Sequence, residues 1–102
     1  MAKPRIELQR ILENLLGSRN VYFQPPETVK LQYPCIVYEL GDIDVVHADN
    51  EKYVTKKMYT VMLMDKKPDS ELIDKLILLP YCSFDRHYAA ENVNHDIFTL
   101  YF

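Results

Sequence analysis

The chain closes on His95-Asp96-Ile97-Phe98-Thr99-Leu100-Tyr101-Phe102, a run that stays apolar and aromatic to its last position. A terminal segment of this kind cannot be left frayed in water, so it is expected inside a sheet or against a neighbouring molecule. The requirement points to assembly rather than catalysis. At 102 residues there is room for one modest core and no separate cofactor module. The expected architecture is α+β: a mixed, mostly antiparallel sheet with two helices packed on one face, in a single domain over residues 1–102.

Only Gly17 and Gly41 are glycine. Phosphate-cradling loops need several glycines close together so that backbone amides can approach the ligand, which excludes P-loop and dinucleotide-binding readings. A net charge of −3 gives no electrostatic footprint for gripping nucleic acid. Apolar residues at 48% and charged residues at 26% are ordinary globular values, so a folded chain is expected. Cys35 and Cys82 are not a CxxC pair, and no leader-like segment precedes the first helical pattern. A reducing, cytoplasmic setting is therefore expected. No apolar run approaches the roughly eighteen residues of a membrane helix.

Leu8, Ile11, Leu12, Leu15 and Leu16 form one helical stripe that starts near Pro4 and stops at Gly17. Val21 to Gln24 is β-prone, but Pro25 and Pro26 forbid regular pairing beyond it, so it is expected as an edge strand or extended arm. Cys35 to Leu40 predicts a strand, and Tyr53 to Asp65 a longer one. In the longer strand, alternation places Tyr53, Tyr59, Val61 and Leu63 on one face and Val54, Met58, Met62 and Met64 on the other. Two helices can cover one of these faces, and a partner subunit would cover the second.

The intervening segment, Gly41 to Lys52, is polar enough to predict a long, mobile or functional loop. Asp69 and Ser70 are candidate caps for a second helix carrying Leu72, Ile73, Leu76, Ile77 and Leu79, expected to end near Leu78 before Pro80. Ser83–Ala90 and Asn94–Phe102 then predict a hairpin around Glu91 and Asn92.

Three constellations could carry chemistry. Cys82, Asp85 and His87 invite a thiol-nucleophile reading, but simple alternation puts Ser83, Asp85 and His87 on one strand face and Cys82, Phe84, Arg86 and Tyr88 on the other. Asp42, Asp44, Asp49 and Glu51, with His47, supply oxygen ligands but lack the spacing and central glycine of a calcium loop. His87 and His95 could approach each other across the final hairpin, yet no third ligand is placed for zinc. No catalytic, metal-binding or cofactor-binding residue is assigned. The eight tyrosines exceed what strand propensity and core packing explain, which favours a contact surface.

The N-terminal amphipathic helix is followed by Y-P-C-I-V-Y-E-L at Tyr33 to Leu40 and Y-T-V-M-L-M-D at Tyr59 to Asp65. K-P-D-S-E-L-I-D-K-L then spans Lys67 to Leu76, and D-I-F-T-L-Y-F closes the chain. In this order, and over nearly the whole chain, these segments resemble the tail terminator, or tail completion, proteins of long-tailed bacteriophages. The resemblance rests on element order, element lengths and the helix start, not on a catalytic motif. It implies one tail-terminator-like domain that forms a homo-hexameric ring on the tail-tube protein, ends tube polymerisation and offers the head-docking surface to connector proteins. It implies a virion protein of the tail or neck, present in the host cytoplasm during assembly, with no enzyme activity, metal or cofactor.

The same resemblance puts the segment between the central strands toward the ring interior or tube. Asp42, Asp44, Asp49 and Glu51 would then be lumen-facing or tube-facing, with DNA passing through unbound. The polar edge around Tyr53 and Thr55 is the candidate subunit contact. A head-tail connector or neck joining protein is the nearest alternative, followed by a small α/β ligand-binding module and a small hydrolase.

Overall fold

The computed structural model describes residues 3–102. Helix α1 spans Arg5–Leu16, strand β1 Val21–Phe23, β2 Cys35–Ala48, β3 Glu51–Asp65, helix α2 Glu71–Ile77, β4 Cys82–Ala90 and β5 Val93–Tyr101. The five strands form one mixed sheet in the order β1-β2-β3-β5-β4, with β1 parallel to β2 and every other pair antiparallel. The closing strand thus lies between β3 and β4, where both of its edges are paired.

Local chemistry accounts for the helix ends. Gly17 takes a φ of 80°, and its amide donates to the Glu13 carbonyl, a left-handed cap that a side chain would strain. The Ser70 hydroxyl accepts from the Leu72 amide and starts α2. Both helices cover the same sheet face. Leu8 and Leu12 of α1 and Leu76 of α2 join Ile36, Tyr38, Tyr59, Val61, Leu63, Phe98 and Leu100 in one buried core. Ile11, expected within that stripe, is half-exposed at its margin.

A polar contact fixes α1 on the sheet. Arg5 donates to the Tyr38 hydroxyl at 2.8 Å, that hydroxyl donates to Gln9, and the Gln9 amide reaches the Val21 carbonyl at 2.9 Å. Burial, the larger effect, raises the Tyr38 pKa, against the lowering effect of Arg5. The opposite sheet face carries Val37, Met62 and Ile97 in one cross-strand row, with Cys35, Met64 and His95 in the next. No described helix packs there.

The segment from Gly41 to Lys52 is not a loop. β2 and β3 continue through it as a hairpin closed by Asp49 and Asn50, whose φ values of 51° and 64° are those of a type I′ turn. Beyond the Met58–Tyr101 pair this hairpin has no sheet neighbour among the described residues except the Phe102 backbone, which bonds Lys57. Its seven ladder pairs, from Asp42–Met58 to Ala48–Glu51, carry the ribbon roughly 20 Å from the sheet. The molecule measures 52 × 28 × 23 Å, and its radius of gyration of 14.7 Å exceeds the roughly 13 Å of a compact chain this long.

Candidate functional site

The arm is the feature that core packing does not explain. Isolated two-stranded ribbons are marginal in water, and an exposed strand edge is a template for pairing. This one also exposes Ile43, Val45, Val46, Tyr53 and Val54. Two irregularities, one at the root and one midway along the ribbon, set which residues share a face. Gly41 is an extra residue between Leu40 and Asp42, and Thr55 is an extra residue opposite the Asp44–Val45 step.

The second bulge corrects the alternation expected for the long strand. Tyr53 lies on the ribbon face of Met58, Lys56, Asp42, Asp44 and Val46, whereas Val54 lies with Lys57, Ile43 and Val45. One ribbon face is therefore apolar with lysines at its ends, and the other places an aromatic ring among carboxylates.

Each proposed arm residue has a defined position. Asp42 accepts from the Ile43 amide at 2.8 Å, and Asp44 accepts from the Thr55 hydroxyl at 2.8 Å. Asp49 sits in the turn, and Glu51 accepts from the Tyr53 hydroxyl at 2.6 Å. That hydrogen bond, more than burial, raises the Tyr53 phenol pKa above its ordinary value. His47 pairs across the ribbon with Lys52. From Asp42 to Glu51 there are four carboxylates and no lysine or arginine. None of the four takes part in an ion pair among the described residues.

β4 also departs from simple alternation. Asp85 is an extra residue between Phe84 and Arg86, so His87 pairs with Asp96 on the helix-covered face together with Phe84 and Cys82. Arg86 and Tyr88 move to the other face. The His87 Nδ1 and Asp96 Oδ1 atoms lie 2.6 Å apart, the one ion-pair contact among the described residues, with Asp96 buried and His87 half-exposed.

His95 is on the opposite face, stacked on Tyr88 with centroids 4.6 Å apart, so the two histidines do not converge. Cys82 and His87 are four ladder steps apart, about 13 Å, which separates the thiol from that imidazole. Burial raises the pKa of Cys82, and burial first, then the Asp65 charge, push Cys35 up to about 11. Both thiols are held in the unreactive protonated form at neutral pH. Among the described residues no three His, Cys, Asp or Glu side chains form a metal-holding group. No described helix is long and apolar enough to cross a membrane.

Sequence reasoning missed the apolar face of the arm. The signal was present in Asp49-Asn50, two residues that tolerate the left-handed region, flanked by Val45-Val46 and Tyr53-Val54. No protein-family model matches the chain, and no curated protein is significantly similar to it.

Proposed function

We propose that this protein is a ring-forming subunit that caps the tail tube of a long-tailed bacteriophage, ends tube polymerisation and presents a surface for head docking. The arm is the observation that carries this reading. A monomer gains no core from such a ribbon, and exposed Ile43, Val45, Val46 and Val54 are stabilised once a neighbouring molecule covers them. A repeated contact between unlike patches closes into a ring when its rotation permits.

The sheet face opposite the helices, where Val37 and Met62 are partly exposed beside buried Cys35 and Ile97, is a second surface that a tube or head component can contact. The resemblance to tail terminators supplies the biological setting, and the arm supplies the physical reason for assembly. Native mass spectrometry of the purified chain across concentration, and electron microscopy after its addition to tail tubes, test the reading. Hexameric rings seated at tube ends are expected. Only monomers or dimers, both at high concentration and with tubes present, would remove the terminator assignment, and rings that bind head connectors without touching tubes would favour a neck joining protein.

A further inference from the structure

The root of the arm borders a cleft of about 150 Å³. Leu8 and Ile11 of α1, Leu79 after α2 and Leu100 of β5 line it with apolar surface, and Lys3 and Lys56 line it as well. An apolar cavity of this size accommodates a single benzene-sized ring. The Lys3 Nζ lies 5.3 Å from the Phe102 ring centroid, and the Lys56 Nζ lies 2.9 Å from that of Tyr81. Lys56 is thereby drawn away from its cross-strand partner Asp44, and neither lysine has a carboxylate partner among the described residues. The cleft thus combines room for a ring with two lysines that form no ion pair among the described residues.

The arm offers the complement. Tyr53 is half-exposed, pairs across the ribbon with Val46, and is flanked on its own face by Asp44 and Glu51. A rigid aromatic ring beside two carboxylates matches an apolar slot beside two lysines in size and charge. The arm cannot fill the cleft of its own chain. Lys56, at the arm's root, lines that cleft, and the paired ribbon carries Tyr53 away from it.

We propose that Tyr53 of one copy inserts into this cleft on a second copy, with the Glu51 and Asp44 carboxylates meeting Lys3 and Lys56 of the receiving copy. The inference rests on the self-assembly proposed above and identifies the two unlike patches that the assembly joins. Because arm and cleft differ, each copy can donate to one neighbour and receive from another.

The test uses the full chain carrying Tyr53→p-azidophenylalanine, which keeps an aromatic ring at the anchor, mixed with the isotope-labelled natural chain and irradiated. Adducts on labelled peptides containing Leu8, Ile11, Leu79 or Leu100 are expected. Adducts confined elsewhere, or none, would overturn the contact. A second measurement uses charge: Lys3→Glu should weaken association at least about tenfold at low salt, and Glu51→Lys combined with it should restore most of the loss. Equal losses in the single and combined variants would also overturn the contact. Hexamers in native mass spectra without cleft adducts would eliminate the arm-cleft contact and leave the ring reading intact. Cleft adducts in reciprocal dimers alone would keep the contact and remove the ring.

Discussion

Cys35 shows how a single buried atom sets a pH limit on the fold. Its side chain is fully buried, its sulfur is 3.8 Å from that of Met64, and its pKa rises from 9.0 to about 11. Between those values the unfolded chain has released the thiol proton while the folded chain retains it. The unfolded state then binds fewer protons, so stability is full below pH 9 and falls as pH rises toward 11. The loss from this group should be about 2 to 3 kcal/mol across the window. It should be absent in Cys35→Ala. Urea denaturation of both proteins at a series of alkaline pH values isolates it, because tyrosine contributions are common to both, and parallel profiles would count against it. His87 makes a different point. His87→Ala leaves the buried Asp96 carboxylate without its partner, which should cost about 1 to 3 kcal/mol. On the proposed function, tail capping by the folded variant should be unchanged, and its loss would reopen a chemical role for the pair. The pair was not legible in the sequence, because the extra residue at Asp85 reverses the side on which every later β4 side chain falls.

Among the elements, the helices were readable because their signals are local. The leucine stripe, the Gly17 stop and the Ser70 cap act within a few residues, and each is realised. Leu12 is fully buried, so Leu12→Ala should destabilise by about 2 to 5 kcal/mol in chemical denaturation. A change below about half a kcal/mol would mean that α1 does not pack as described. Ile11 at the margin of the same helix shows the limit of the pattern, since periodicity gives direction but not what lies opposite. The arm was harder to read. Four carboxylates between Asp42 and Glu51 resemble a solvated loop, and ribbon pairing depends on bulges that only Gly41 hints at. Because the arm adds nothing to the core, replacing Asp44–Lys56 by Asn-Gly should close the Ile43–Lys57 pair with a two-residue turn. Near-ultraviolet circular dichroism should then stay native while concentration-dependent association disappears. Loss of the native spectrum would show instead that the arm supports the fold.

At the scale of the whole molecule, the shape separates a packed body from an appendage that adds nothing to its core. One sheet face and two helices make the core, whereas the ribbon contributes surface. That division suits a subunit that must fold alone and assemble later. Tyr53→Asp tests it directly. The substitution removes the aromatic ring and adds a carboxylate to an arm that already holds four. Neither change touches the core, so the unfolding free energy should stay within about half a kcal/mol of that of the natural chain. Truncating a central aromatic anchor typically costs at least about 2 kcal/mol of binding, which corresponds to roughly 30-fold weaker association. In the proposed ring the contact repeats at every subunit, so on that reading a loss of that size at each one should abolish capping and leave tail tubes of uncontrolled length. Tyr53→Phe supplies the control. Its hydroxyl donates to Glu51 of its own chain, and losing it should change association only a few-fold. Tubes of normal length with Tyr53→Asp, or uncontrolled tubes with Tyr53→Phe, would show that this ring is not the anchor through which subunits meet.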